Sequence, residues 1–200
     1  MPDIYLNNDE VRVQSQWLPK RAGGMLRSWV TSGQNLTTPA VSVDTLYAVP
    51  VYIPHMMRID RLVAEVTTGA VGNMKIGLYD DSGGYPNVLL NDSGSIDTTT
   101  GGLKQSAIGL VVPQGFYWLA TIFSATPNMR LETNVDGNCM NWLGHASATD
   151  TAKHTGISVA FAFAALSNPF TAGGVLATTP LPRVMVALGK DGHITSPDYG

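Results

Sequence analysis

One stretch constrains the fold of this chain more than any other. Phe116 to Phe123 is apolar on both alternations of an extended strand, with Thr121 as the only exception. Successive side chains of a strand point to opposite faces of its sheet, so both faces of this strand must be covered by other parts of the protein. The sequence therefore predicts a buried strand here, and the rest of the fold has to supply the cover.

The chain before this strand has the period and the turns of an antiparallel β protein. Met74, Ile76 and Leu78 alternate with more polar or smaller residues, which is typical of a half-buried strand. Residues 80–86 concentrate Asp, Ser, Gly and Pro and predict a turn. Further strands are predicted over residues 46–54, 58–66, 88–90, 93–97, 104–112, 157–164 and 183–188. Residues 104–112 are expected to pair with residues 116–123 as a hairpin across the short Pro/Gly segment between them.

These elements predict an all-β fold, an antiparallel two-sheet sandwich of the jelly-roll type. The sandwich is assigned to residues 36–200 and an irregular N-terminal arm to residues 1–35. Residues 134–155 are expected to form a long loop, and loops of that length in compact domains usually make contacts or carry function.

Part of the sequence resembles a known module. The resemblance lies in LYAVPVYIPHMMRIDRLVAEVTTGAVG and, further on, in IGLYDDSGGYPNVLL, SGSID and GLVVPQGFYWLATIFSATPNMRL. Together these runs resemble a β-sandwich module found repeatedly in bacteriophage virion proteins, especially tail-fibre and decoration proteins. The resemblance covers roughly residues 46–131, under half of the chain. It implies a place on a virus particle assembled in the host cytoplasm, and it transfers no catalytic residues.

The N-terminal arm has two interpretations. Large apolar side chains are scattered among polar ones there, with a basic cluster around Gly23 and Gly24, and neither helical nor strand period persists. Exposed apolar groups of this size mark an interaction surface, which predicts docking on another virion protein. The proposed docking residues are Trp17, Arg21 and Trp29. The alternative is that the arm adds a strand to its own sheet.

A strip of small residues predicts self-association. In the strand expected over residues 157–164, the large residues Ile157, Val159, Phe161 and Phe163 are expected to fill the sandwich interior. The opposite face is uncharged, which permits close approach of a second copy. The predicted oligomer interface consists of Ser158, Ala160, Ala162 and Ala164. Three-fold symmetry follows only from the resemblance to phage fibres. The alternative is that residues 168–182 cover this strip.

Two loops combine aromatic and polar side chains in the mixture that binds sugars. The predicted glycan-contacting residues are Asp81, Tyr85, Asn87, Asn141, Trp142 and His145. The alternative is that Trp142 plugs the end of the sandwich and Tyr85 packs against Pro86.

Composition and motifs argue against other functions. Charged residues make up 14% and the net charge is −3, so no basic patch predicts nucleic-acid binding. One cysteine, Cys139, excludes an internal disulfide framework and a multi-cysteine zinc site. The four histidines lack zinc spacing, and no G-x-S-x-G elbow exists. Neither a signal peptide nor a membrane-spanning run is recognised. We therefore expect no cofactor, no metal and no catalytic residues.

The sequence thus predicts a non-enzymatic bacteriophage virion protein. Its expected role is that of a fibre, decoration or adaptor subunit, with other virion proteins and copies of itself as partners. The alternative is a host-recognition module that binds cell-surface polysaccharide through its loops.

Overall fold

The chain folds into two packed antiparallel sheets. The computed structural model describes residues 39–132, 154–177 and 180–188, together with Met25–Arg27 and Leu143. The strands are β1 (Met25–Arg27), β2 (Thr45–Ile53), β3 (Met57–Thr68), β4 (Asn73–Ser82), β5 (Tyr85–Asp92), β6 (Ile96–Asp97), β7 (Gly102–Val112), β8 (Gly115–Phe123), β9 (Asn128–Met129), β10 (Leu131–Glu132), β11 (Gly156–Ala160), β12 (Val175–Ala177), β13 (Leu181–Pro182) and β14 (Val184–Leu188). No helix occurs among these residues. The predicted all-β sandwich is confirmed, and the jelly-roll connectivity stays a prediction.

The larger sheet has seven strands, and β8 lies inside it. The order is β12-β11-β2-β8-β4-β5, with β6 beside β4. Every residue of β8 from Tyr117 to Phe123 is buried, which confirms that both faces of this strand are covered. Pro50, which lacks an N–H for the sheet, is accommodated because β11 pairs only with the first part of β2, from Thr45 to Ala48.

The smaller sheet has five strands, ordered β1-β14-β3-β7 with β9 beside β3. The long strand β3 pairs with β14 on one side and β7 on the other. The register between β3 and β7 shifts between Ile59 and Arg61, where Gly109 of β7 has a φ of 57°. A positive φ at an extra residue is the geometry of a β-bulge with glycine. Strands β10 and β13 form a separate two-stranded ribbon.

The main core lies between the two sheets. The predicted inward residues of β3, β4 and β14 are confirmed in it, because apolar residues at alternate positions meet across the interface. This core includes Val49, Val51 and Ile53 of β2, Leu62, Ala64 and Val66 of β3, Met74, Ile76 and Leu78 of β4, Leu119 and Phe123 of β8, and Val184, Val186 and Leu188 of β14.

A second apolar layer covers the outer face of the seven-stranded sheet. Residues 161–174, here called the covering loop, place Leu166 and Phe170 over Trp118 and Tyr79, and all four side chains are buried. The Tyr79 hydroxyl donates a 2.9 Å hydrogen bond to the Ser167 carbonyl. Burial raises the pKa of Tyr79, so the phenol stays neutral and keeps this bond at physiological pH.

Two expectations about the strand at residue 157 are wrong. The strand ends at Ala160, so Phe161 and Phe163 belong to the covering loop. Ile157, Val159 and both phenylalanines pack in the outer layer and not in the interior between the sheets. The reason is that the seven-stranded sheet is covered on both faces, so apolar alternation does not tell one layer from the other.

The predicted hairpin between residues 104–112 and 116–123 is also wrong. Strand β7 pairs with β3, whereas β8 pairs with β2 and β4 in the other sheet. Pro113 and Gln114 therefore connect the two sheets. Strand β8 needs neighbours on both edges and cover on both faces, and β7 at the margin of the smaller sheet supplies neither.

Only a short part of the N-terminal arm is described. Met25–Arg27 pairs antiparallel with β14, in the register Leu26 with Val186. These residues thus add a strand to their own sheet, as the second interpretation of the arm expects. The proposed docking residues Trp17, Arg21 and Trp29 lie outside the described residues.

An ion-pair cluster ties β3 to the segments around β10 and β14. Arg130 approaches Glu65 with two nitrogens, at 3.1 Å from Nε to Oε2 and 2.9 Å from Nη2 to Oε1. Arg183 Nη2 lies 3.5 Å from Oε2 of the same carboxylate. The hydrogen bond from Arg130 lowers the pKa of Glu65 against the opposing effect of burial, and the charges of both arginines lower it further.

We expect this cluster to make stability depend on acid pH. The native pKa of Glu65 is below its ordinary value of 4.5, so its contribution is present above that pH and is lost as pH falls through the native pKa. Glu65→Gln should therefore lower the urea midpoint at about pH 7 and have a much smaller effect at about pH 3. An equal difference between the two proteins at both pH values would contradict this role for the carboxylate.

Candidate functional site

One end of the seven-stranded sheet collects most of the described residues that were predicted to bind a ligand. We call it the hairpin end, formed by the β4–β5 turn and the neighbouring ends of β2 and β8. Register brings these strands together, because Ile53 lies opposite Gly115 and Asp80 lies opposite Tyr117. Gly83 and Gly84 make the tight turn with φ values of 65° and 84°. Positive φ at both central residues is characteristic of the two-residue hairpin turn whose twist matches that of the two strands it joins.

Asp81 is held by contacts within the chain. The Trp118 indole N–H donates a 2.7 Å hydrogen bond to its Oδ1, and the Gly84 backbone N–H donates a 3.1 Å bond to its Oδ2. Trp118 is only 1% exposed, so this bond satisfies an indole donor that burial would otherwise leave unpaired. Asp81 therefore has a structural role whether or not it also contacts a ligand.

Tyr85 and Asn87 fasten the covering loop to β5. The Tyr85 hydroxyl donates to the Thr171 carbonyl at 3.1 Å and accepts the Gly174 N–H at 3.0 Å. Its ring meets Phe170 edge-on, with centroids 5.7 Å apart, so Tyr85 packs in the outer layer. The backbone carbonyl of Asn87 accepts the Phe170 N–H at 2.8 Å. These contacts explain why a loop of this length stays close to the sheet.

The second half of the predicted glycan site is not part of this geometry. Asn141, Trp142 and His145 lie outside the described residues. The structure brings Asp81, Tyr85 and Asn87 together on one hairpin, and sugar contact by the second loop stays a prediction.

One aromatic pair at the hairpin end was not predicted from the sequence. Tyr52 of β2 lies directly opposite Phe116 of β8, with ring centroids 4.9 Å apart and planes inclined by 46°. The Gln114 amide donates a 2.7 Å hydrogen bond to the Tyr52 hydroxyl. Phe116 is 43% exposed, although the next seven residues of its strand are buried. The signal for this pair is cross-strand register, which a single sequence does not display.

The covering loop forms a second candidate surface. No Asp, Glu, Lys or Arg occurs between His154 and Arg183. Ala160, Ala162 and Ala164 of the predicted interface are exposed and Ser158 is half-buried, so the described part of residues 168–182 leaves the three alanines uncovered. Beyond them lies the edge strand β12, whose Val175 is 64% exposed. The side chain of Lys75 in β4 extends to the covering loop, where its Nζ lies 5.9 Å from the centre of the Phe163 ring.

The described residues contain no group of three or more His, Cys, Asp or Glu side chains that could hold a metal ion. Of the histidines, His154 is buried beside β11, and His145 and His193 lie outside the described residues. In the part of the chain that the structure covers, no helix is both long and apolar enough to span a membrane.

Comparison with known proteins does not assign the chain to a family. No protein-family model matches it, and a search of curated proteins finds no match. The hairpin end and the covering loop are therefore the two surfaces on which a functional proposal can rest.

Proposed function

We propose that this chain is a non-enzymatic structural subunit of a bacteriophage particle, a fibre, decoration or adaptor protein that assembles through apolar surface. The observation that carries the proposal is that none of the exposed residues of the covering loop and β12 is charged, although Lys75 and Asp44 contact Phe163 of the loop. A surface exposed to water throughout the life of a protein normally intersperses charged residues, which keep it soluble. The exposed residues here are alanine, glycine, valine and other uncharged residues.

Small side chains also suit close packing between subunits. Ala162 and Ala164 of the covering loop are exposed and project little from the backbone, so a second subunit can approach the loop closely. Apolar burial on association is favourable at about 25 cal/mol per Å², and the residues of the covering loop and β12 themselves add no charge that has to be desolvated. We infer a homo-oligomer, with a trimer favoured by the resemblance to phage fibres. The N-terminal arm, including Trp17, Arg21 and Trp29, is proposed to contact other virion proteins.

The virion location has a direct test. Phage particles from the source of the sequence should be banded in a density gradient and analysed by quantitative mass spectrometry. We expect the chain to follow the major capsid or tail proteins through the gradient at a fixed molar ratio. A chain that stays in the soluble fraction while intact particles band elsewhere would contradict the proposal.

A second candidate function is recognition of a host-surface polysaccharide, and the aromatic pair at the hairpin end favours it, with Phe116 exposed and Tyr52 half-buried. In this role Asp81, Tyr85 and Asn87 support the site. Asp81 and Tyr85 use their side chains, and Asn87 its backbone, in contacts that fix the turn and the covering loop. The two functions use different surfaces and are compatible in one protein.

A further inference from the structure

We propose that the outer edge of β7, over residues 102–107, docks an extended acidic segment of another protein, which adds a strand to the smaller sheet. The inference goes beyond the proposed function, because it names a docking edge and the chemistry of its partner. It depends on neither the covering loop nor the hairpin end, so each proposal can fail without the others.

The first argument is that β7 is a long strand with an open edge. Among the described residues it is the last strand of the smaller sheet and pairs with β3 alone. It has 11 residues, whereas the marginal strands β1 and β12 have 3 each. The edge of β5 is occupied by the covering loop, which bonds to the Asn87 carbonyl and to the Leu89 N–H. An open edge of this length is a template for a further strand.

The second argument is the direction of the backbone groups, which the pairing of β3 reveals. Val66 pairs with β7 on one edge of β3 and with β9 on the other. The backbone carbonyl of Glu65 accepts the Arg130 N–H at 2.9 Å. Arg130 follows β9 directly in the chain, so this bond lies on the edge of β3 opposite β7. The backbone N–H and C=O of Glu65 therefore point away from β7.

The residue of β7 that lies opposite Glu65 then has its backbone groups directed outward. This residue is Leu103, and in a non-hydrogen-bonded antiparallel pair both residues turn these groups away from each other. Alternation along the strand gives Gln105 and Ala107 the same direction, before the bulge at Gly109. Each of the three offers one N–H donor and one C=O acceptor to an added strand, and their side chains are exposed.

The third argument is charge, which selects an acidic partner. Arg61 is exposed and lies opposite Ala107, and its Nη1 donates a 3.0 Å hydrogen bond to the Gln105 side-chain oxygen. Within the described part of the chain, no carboxylate forms an ion pair with Arg61. Lys104 adds a second positive charge to the same run. A carboxylate opposite Gln105 on the added strand would therefore meet a guanidinium that has no acidic partner.

The same charges disfavour a second copy of the chain as the occupant. Antiparallel self-pairing centred on Gln105 would bring the Arg61 side chains of both copies beside each other. Like charges opposite one another destabilise a sheet, whereas an acidic segment of a different protein supplies the opposite charge.

The test is fluorescence anisotropy on the full chain with a labelled peptide, acetyl-Thr-Val-Glu-Val-Glu-Val-Thr-amide, as the probe. We expect a Kd of about 0.1 mM and slower amide hydrogen exchange at Leu103, Gln105 and Ala107. Replacing both glutamates of the peptide by lysine should raise the Kd about tenfold or more, because attraction becomes repulsion. N-methylation of both glutamates should have a similar effect, because it removes the N–H groups that face β7.

A variant of the protein tests the role of charge separately. Arg61→Gln should raise the Kd about tenfold, because a hydrogen bond to a charged partner is lost. Arg58→Gln is the matched control, since Arg58 is also an exposed arginine of β3 but pairs with Asp60 at 3.0 Å and lies opposite Val111, beyond the bulge. It should leave the Kd unchanged. Both variants should keep the unfolding midpoint of the unmodified protein, because both side chains are exposed.

Four results would overturn the proposal. These are no binding at about 1 mM peptide, equal binding of the lysine or the N-methylated peptide, protection confined to strands other than β7, and an equal Kd for Arg61→Gln and the unmodified protein. Slow exchange at Leu103, Gln105 and Ala107 that rises with the concentration of the free protein would assign the edge to a second copy and would also overturn it. The peptide comparisons use the unmodified protein, so they decide the outcome even where a variant does not fold.

Discussion

Trp118→Ala should destabilise the protein by about 3–5 kcal/mol, the usual cost of removing a large buried aromatic side chain. The indole is 1% exposed and packs among Tyr79, Leu166 and Phe170 beneath the covering loop. Its removal leaves a cavity between the sheet and the loop. It also withdraws the N–H that Asp81 accepts at 2.7 Å, so the β4–β5 hairpin loses a fixed contact. A loss of this size approaches the whole stability of a typical domain.

Urea unfolding followed by circular dichroism measures this effect, with Trp118→Phe as the matched control. Phenylalanine retains most of the packing and loses only the indole donor, so its cost should be clearly smaller, about 1–2 kcal/mol. An alanine variant with the unfolding curve of the unmodified protein would show that Trp118 is not buried in this layer, and the register of β8 would then be wrong.

Ala162→Glu should abolish self-association while leaving the subunit folded. Ala162 is exposed on the covering loop, so a glutamate there remains in water in an isolated subunit and costs little. In an interface built from the covering loop the same carboxylate would lose its hydration on association, which is strongly unfavourable. The expected result is a sedimentation profile that shifts from oligomer to monomer.

Ala107→Glu is the matched control for this substitution. Ala107 is an exposed alanine on β7 of the smaller sheet, away from the covering loop. The same change of size and charge there should preserve the oligomer. If both variants dissociate, the effect is one of net charge, and if neither does, the covering loop is not the interface.

The sequence predicted strands well because hydrophobic period is a local property. Met74, Ile76 and Leu78 alternate as expected and lie in the main core. The burial of residues 117–123 could also be predicted from the sequence, because a strand that is apolar on both faces has to be covered on both faces.

Pairing between strands was less accessible because it depends on distant residues. A short Pro/Gly segment such as Pro113–Gly115 can close a hairpin or carry the chain from one sheet to the other, and local sequence is the same in both cases. What decides between the two connections is the pairing of β3 with β14, two strands that are far apart in the chain. This pairing leaves β7 at the margin of the smaller sheet. The same problem affected Phe161 and Phe163, whose apolar character was evident but whose layer was not.

The candidate site shows the same division. Asp81 and Tyr85 lie in β4 and β5, on either side of the Gly83–Gly84 turn, and their bonds to Trp118 and Thr171 join residues far apart in sequence. Phe116 was counted with a buried strand, and its exposure follows from its place at the end of β8, opposite Tyr52. A period-two pattern assigns a residue to one face of a sheet, but it does not show how far along the strand that face is packed against the rest of the protein.

Light scattering of the unmodified protein at micromolar concentration tests the central claim most directly, because assembly through an uncharged surface requires that copies associate. The account predicts a molar mass that is a whole multiple of the 21.3 kDa chain, with three copies expected from the resemblance to phage fibres. A mass of one chain across that concentration range would contradict it.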